Sequence, residues 1–272
     1  MGRAWLLVIA LAGCAGAEAS ATLPSNPKVE PAAVTSTNEV GLNPGESMAF
    51  EVRLGGVLAG EAALAVGEIG EFEGRKAVVV KSRANTAGAA ALLKRIVDEA
   101  TTVIDVENGR PIKLDTYVEQ GTKKTTATAK FVGSVADVTY TRSDDPVPHN
   151  YKINFGKETV HDTHSAMAQI RGWRPTNGAT RQVFVIGGRR LWRVDVKYLG
   201  SETVGSSMGN RKAIKFEGAS FRAKANFTVE SDKPARTFTV WLTDDADRVP
   251  LKVVAHTELG DVSVELTDYL RP

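Results

Sequence analysis

The chain has 272 residues, of which 42% are hydrophobic and 7% aromatic, so it contains enough apolar side chains for one sizeable core. Its 34 Lys and Arg residues nearly balance 32 Asp and Glu residues, and this balance gives no indication of a nucleic-acid partner. A single cysteine excludes an intrachain disulfide, so the core alone must hold the fold together.

The N-terminus has the pattern of a bacterial export signal. Arg3 precedes an apolar run over residues 6–12, which is too short for a membrane span of about 20 residues. The following Leu11-Ala12-Gly13-Cys14 resembles the lipobox, in which the cysteine thiol is alkylated by a diacylglyceryl group before cleavage on its N-terminal side. We therefore expect residues 1–13 to be a signal peptide and Cys14 to anchor the protein in membrane lipid. The alternative is an ordinary signal that ends in an unmodified cysteine.

Residues 14–44 are rich in Ala, Ser, Thr and Pro and contain no aromatic residue. Such a segment buries too little apolar surface to fold, so we expect a flexible tether after the lipidated cysteine. No aspartate follows Cys14, which by analogy with enterobacterial sorting favours the outer membrane, on its periplasmic face or at the cell surface. Residues 45–272 are then expected to form a single β-rich domain.

Apolar and polar residues alternate through most of this domain, which is typical of strands with one buried face. Examples are residues 50–54 and 192–198, and Gly187-Gly188 is suited to a tight hairpin turn. We predict an all-β, mainly antiparallel fold, either a strongly curved sheet or an incomplete barrel. Helix formers over residues 162–171 and 88–96 predict one or two short helices, the first with Asp162 or Thr163 as its N-cap.

Two stretches of the chain resemble each other weakly. Residues 109–121 match residues 247–260 in the spacing from proline to glycine, and residues 75–78 match residues 211–214 upstream of them. Two similar β-lobes would explain this echo, and so would chance similarity between turns of like composition.

Three blocks together resemble the bacterial family of exported proteins known as domain of unknown function 3108. The blocks are residues 45–52, residues 162–171 with Ser165-Ala166, and residues 241–250. The chain departs from the family pattern at Leu54-Gly55-Gly56, where members usually have an aromatic residue. The resemblance implies an envelope location and an antiparallel β architecture, and it implies no accepted activity.

Catalytic and metal motifs are weak. His161 and His164 lie three residues apart and would need His256 or a carboxylate to complete a metal site; exposed residues at a helix start are the simpler interpretation. Asp244, Asp245 and Asp247 lack the EF-hand pattern, and a hairpin turn explains them better. We identify no catalytic serine, and we interpret Ser165 as a residue of the first helical turn.

The candidates for a ligand groove are three tryptophans, Trp173, Trp192 and Trp241. Tryptophans on strands are, however, more commonly core residues. We therefore expect a non-enzymatic envelope lipoprotein, without metal or cofactor, that binds an apolar or envelope-derived ligand or a partner protein. A structural scaffold or interaction lipoprotein is the alternative, and a metal-dependent hydrolase is the third hypothesis.

Overall fold

The computed structural model describes residues 30–31, 40–231, 235–257 and 260–272. These residues contain two short helices, α1 (Gly88–Leu93) and α2 (Thr163–Gly172). They also form sixteen strands: β1 (Glu30–Pro31), β2 (Ser47–Leu54), β3 (Val57–Phe72), β4 (Arg75–Thr86), β5 (Ile96–Asp105), β6 (Pro111–Gln120), β7 (Lys123–Val132), β8 (Val135–Arg142), β9 (Asp145–Asn154), β10 (Val160–Asp162), β11 (Thr180–Gly187), β12 (Arg190–Ser206), β13 (Gly209–Ala223), β14 (Arg236–Thr243), β15 (Pro250–Thr257) and β16 (Gly260–Leu270).

All sixteen strands belong to one sheet. Fifteen follow one another in the order β10 to β16 and then β2 to β9, and the short β1 pairs with the end of β3 beyond the start of β2. Every neighbouring pair is antiparallel except β10 and β11. The two edges of the sheet, β9 and β10, are consecutive in the chain and do not pair, so the described sheet is open. The predicted all-β, mainly antiparallel sheet is confirmed.

The two edge strands are poor templates for further pairing. β10 has only three residues, and β9 carries Pro146 and Pro148, which have no backbone N–H to donate. Edge strands in native proteins are often blunted in this way, because a long regular edge invites aggregation. Apolar side chains close the seam between the two edges instead: Val138 and Ile153 on one side share a buried cluster with Ile186 and Leu191 on the other.

Helix α2 forms where the sequence predicts it. The carboxylate of its N-cap, Asp162, accepts hydrogen bonds from the backbone N–H groups of His164 and Ser165, and the hydroxyl of Ser165 accepts one from the backbone N–H of Asp162. This reciprocal arrangement is a capping box. The second predicted helix is shorter than expected and ends at Leu93, with none of its side chains buried. Neither described helix is long and apolar enough to cross a membrane.

The main core lies on one face of the sheet, against α2. Alternate side chains of β2 to β5 and of β12 to β16 form one buried cluster with Met167 and Ile170 of the helix. Val40 and Leu42 join this cluster, although the composition predicts a tether up to residue 44. Gly41 passes so close to α2 that a Cβ atom there would lie 2.2 Å from the carbonyl oxygen of Ala168. The packed domain therefore begins before residue 45, where the composition placed its start.

A buried ion pair holds the chain entry against α2. The guanidinium of Arg171 donates to both carboxylate oxygens of Glu46, at 2.5 and 2.9 Å, and neither residue is exposed to solvent. Arg171 also donates to the carbonyl oxygens of Asp247 and Arg248, and Tyr269 donates to Glu46. One cluster thus joins the start of β2, the end of α2, the β14–β15 turn and the end of β16.

The echoing stretches occupy equivalent places in the one continuous sheet. Residues 75–78 begin β4 and residues 211–214 lie near the start of β13, while residues 109–113 and 247–252 span the β5–β6 and β14–β15 connections. Each copy thus starts an antiparallel run of three strands, β4 to β6 or β13 to β15. We call the end of the sheet at Ser47 the proximal end and the opposite end, at the Gly55-Gly56 turn, the distal end.

Candidate functional site

The predicted lipidation site, Cys14, lies outside the described residues. The chain enters the domain at the proximal end, where Gly45 lies beside Pro272 and β2 pairs with the last residues of β16.

The two histidines of the metal hypothesis belong to a buried polar group around the start of α2, which we call the cap cluster. It comprises Ser82 of β4, Thr102 of β5, and His161, Asp162, His164 and Ser165. His161 is 4% exposed and His164 1%, so neither is the exposed residue at a helix start that the sequence favoured. Long-range contacts explain this burial, because the start of the helix lies against Ser82 of β4 and Thr102 of β5.

A chain of hydrogen bonds runs through the cap cluster. Thr102 Oγ1 lies 2.5 Å from Asp162 Oδ2 and 2.7 Å from His164 Nδ1. Because the threonine hydroxyl donates to the carboxylate, it accepts from Nδ1–H of the imidazole, and Nε2 is left as an acceptor. Ser82 Oγ lies 2.7 Å from this Nε2 and donates to it. The order is serine, histidine, threonine, aspartate, which resembles a catalytic triad with one hydroxyl inserted.

Burial keeps both imidazoles neutral. It lowers the pKa of His161 to about 4, and it lowers the pKa of His164 although the charge of Asp162 opposes the shift. His256, the third predicted ligand, lies on β15 with its Nδ1 2.7 Å from Asp261. Within the described ranges, no group of three or more His, Cys, Asp or Glu side chains is placed to hold a metal ion.

The three candidate tryptophans lie in different surroundings. Trp192 is buried in the main core, and Trp173, at the end of α2, stacks on Phe216 with 5.7 Å between ring centroids. Trp241 lies on the opposite face of β14 from its buried neighbours and donates from Nε1 to Glu202. None of the three lines either of the surface clefts described next.

The acidic residues near residue 245 build a turn, as the sequence favoured. Asp245 accepts from the hydroxyl of Thr243 and from the backbone N–H groups of Asp247 and Arg248. Asp244 is paired with Lys212. Together these residues rim a cleft of about 290 Å³ whose floor is apolar.

A second cleft, of about 200 Å³, lies where the tip of the β11–β12 hairpin meets β9, and we call it the seam cleft. Its lining includes Tyr151, Arg189, Arg190, Arg222 and Lys224. The sequence analysis missed these residues, because they come from three separate strand ends and no local pattern connects them. Both clefts are smaller than the roughly 300–1,000 Å³ of typical small-molecule pockets.

The distal end carries an exposed apolar surface, which we call the distal patch. It consists of Val57, Leu58, Leu92 and Leu93, with exposed fractions of 68, 37, 90 and 89%. The β2–β3 hairpin and α1 are neighbours there, since the backbone N–H of Ala87 donates to the carbonyl oxygen of Ala59. Lys94 and Arg95 follow the helix directly and are exposed.

Comparison with known proteins identifies a family and a fold. The model of the family described as "Protein of unknown function (DUF3108)" matches residues 49–267. No protein with a curated description is significantly similar in sequence. A β-barrel-like protein of domain of unknown function DUF1849 from Brucella abortus is similar in structure, with 9% sequence identity, a TM-score of 0.50 and coverage of 82% of this chain and 96% of that one.

Two further solved structures are more distant. A protein with a YmcC-like fold from Bacteroides fragilis has 8% identity and a TM-score of 0.38, and covers 84% of this chain and 96% of its own. The hypothetical lipoprotein YmcC from Escherichia coli has 10% identity and a TM-score of 0.30, with 85% of this chain and 88% of that one covered.

Proposed function

The chain belongs to the DUF3108 family of proteins of unknown function, and from that premise we propose that it is an interaction lipoprotein of the bacterial envelope. Its acylated Cys14 holds it in the outer membrane, and its β domain binds a partner protein rather than catalysing a reaction. The partner's contact surface is apolar and carries acidic side chains that complement Lys94.

The distal patch carries this proposal. Exposed leucines are unremarkable singly, but Leu92 and Leu93 are about 90% exposed beside Val57, on a helix that buries none of its side chains. The patch lies at the opposite end of the sheet from the chain entry, so a tethered domain presents it away from its anchor. The described face of the sheet that packs against α2 offers no open groove for an apolar ligand, because the side chains of the main core and of α2 fill it.

The anchor is tested by replacing Cys14 with Ser. The wild-type chain is expected to fractionate with membranes and to carry a diacylglyceryl modification detectable by mass spectrometry. The variant is expected to lose both properties while keeping its unfolding midpoint, because every residue of the described main core lies at or after Val40. Membrane fractionation of the variant equal to that of the wild type would contradict the anchor.

The distal patch is tested by photocrosslinking in cells, with the crosslinking amino acid at position 93. Position 132 is the matched control, because Val132 is 66% exposed and lies at the β7–β8 turn of the proximal end. We expect a discrete protein adduct from position 93 that disappears when Leu92→Glu is added, and none from position 132. Adducts to lipid or to a second copy of the chain, or equal adducts from both positions, would overturn the partner assignment.

A serine hydrolase is a second candidate function, favoured by the 2.7 Å contact between Ser82 Oγ and His164 Nε2. It ranks below the interaction protein because neither cleft reaches Ser82 and the imidazole is almost wholly buried. A fluorophosphonate probe decides between them. Labelling of Ser82 that His164→Gln abolishes would establish a reactive serine, and an unlabelled wild-type protein would remove this candidate.

A further inference from the structure

The seam cleft has a strongly basic lining. Arg189, Arg190, Arg222 and Lys224 contribute four positive charges, and the described lining contains one carboxylate, that of Glu230. This carboxylate is already engaged, since its Oε2 lies 3.0 Å from Nε of Arg222. The cleft therefore has an excess of positive charge that favours an anion.

Two of these cations are available to a ligand. Within the part of the chain that the structure describes, neither Arg189 nor Lys224 is in an ion pair. The guanidinium of Arg189 lies 5.1 Å from the centre of the Tyr140 ring, a cation–π contact that holds it at the hairpin tip without neutralising it. Tyr140 in turn stacks on His149, so the ring that Arg189 contacts is itself held in place by packing.

The hydroxyl of Tyr151 is the most specific feature of the cleft. It is buried and has no hydrogen-bond partner among the described residues, which is rare because buried polar groups are almost always paired. Burial raises the pKa of Tyr151 to about 12, although the charges of Arg189 and Arg190 oppose the shift. The hydroxyl is therefore a donor at neutral pH, on a residue that lines the cleft, and the described residues supply no acceptor for it.

We propose that the seam cleft binds a phosphate group, with phosphate oxygens accepting from the Tyr151 hydroxyl, the Arg189 guanidinium and the Lys224 ammonium. Arginine presents a planar fork of donors that matches phosphate oxygens, and lysine adds a point charge. A cleft of about 200 Å³ accommodates a phosphate and its immediate substituent rather than a whole lipid or saccharide. The phosphate is either free or part of a larger envelope molecule.

The test is calorimetric titration of the full acylated chain in detergent with inorganic phosphate, with glycerol phosphate as a monoester, and with dihexanoyl phosphatidylglycerol as a diester. Tyr151→Phe and Arg189→Gln are each expected to weaken binding about tenfold or more, the effect of one hydrogen bond to a charged group. Preference for the diester would identify a lipid headgroup, and preference for phosphate or the monoester a soluble source. Either preference upholds the phosphate site.

Matched controls separate the cleft from general charge effects. Tyr117→Phe removes a hydroxyl that is bonded to Glu119, and Arg83→Gln removes a cation paired with Glu99; neither is expected to change phosphate binding. Tyr151→Phe removes a hydroxyl that has no partner among the described residues, and it is expected to leave the unfolding midpoint unchanged in phosphate-free buffer. Absence of binding for all three ligands at millimolar concentration, or equal affinity in wild type and both cleft variants, would overturn the proposal.

Discussion

The buried pair of Arg171 and Glu46 offers the sharpest test of how this domain is held together. Replacing Arg171 with Met leaves the Glu46 carboxylate buried and without its cation, while Asn43 and Tyr269 still donate to it. Breaking one partner of a buried ion pair costs about 3–5 kcal/mol. For a domain of this size, that loss corresponds to a drop in Tm of roughly 6–20 °C.

The loss is measured as the free energy of unfolding from urea titrations. Lys152→Met is the matched control, because the Lys152–Asp137 pair is exposed, with side-chain exposures of 73 and 49%, and such pairs contribute less than about 1 kcal/mol. The double variant Glu46→Leu/Arg171→Met carries no unpaired buried charge. We therefore expect it to be more stable than Arg171→Met alone.

Two results would refute the reasoning. A loss of less than about 1 kcal/mol in Arg171→Met would mean that the buried charge of Glu46 is reached by water or by other donors. A double variant that loses the full sum of the two single losses would mean that the two side chains act independently, since coupled residues depart from additivity.

Further predictions follow from the cap cluster and the sheet. The pKa of His161 is about 4 in the folded protein and about 6.5 in model peptides, so the unfolded chain binds the proton more tightly and the contribution of this residue to stability falls as pH drops from about 6.5 to 4. His161→Gln is expected to remove that contribution and so to make the change in urea midpoint on acidification over that range less negative than in the wild type. A Cβ atom at Gly218 would lie 2.2 Å from Cζ of Phe238, so Gly218→Ala is expected to lower the free energy of unfolding in urea by about 1–3 kcal/mol. Gly205→Ala is the control: its Cβ atom would lie 3.5 Å from the nearest atom, and we expect a much smaller loss. Asp162→Ala removes the N-cap and is expected to cost at least about 1 kcal/mol by the same measurement, and a loss no greater than that of Gly205→Ala would contradict the capping role.

Local patterns in the sequence predict most of the secondary structure. Alternation of apolar and polar residues identifies the buried face of a strand without any information on the strands it pairs with. The strand-rich, antiparallel class was therefore predicted correctly. The start of α2 is equally local, because Asp162 and the Ser165 three residues later cap it by themselves. The Gly187-Gly188 turn was predicted correctly for the same reason, because Gly188 has a φ of 57°, a conformation that glycine adopts without strain.

The features that depend on distant pairing were not predictable. Glu46 and Arg171 are 125 residues apart in the chain, and Ser82 and His164 are 82 apart, so neither pair leaves a pattern within any window. The start of the packed domain was predicted too late in the chain for a related reason. Val40 is an apolar residue in a Pro-rich segment, and only the position of α2 reveals that it has a surface to pack against.

The open seam of the sheet gives the proposed phosphate site a mechanical consequence. Side-chain packing, with no ladder of hydrogen bonds between β9 and β10, holds the two described edges together, and the seam cleft takes Tyr151 from one side and Arg189 from the other. A ligand bound there contacts both sides at once and stabilises only the state in which they are together. At a ligand concentration 100 times its Kd, this linkage is worth about 2.7 kcal/mol. A bound ligand therefore stabilises the contact between β9 and β10, where no ladder of backbone hydrogen bonds holds the described edges together.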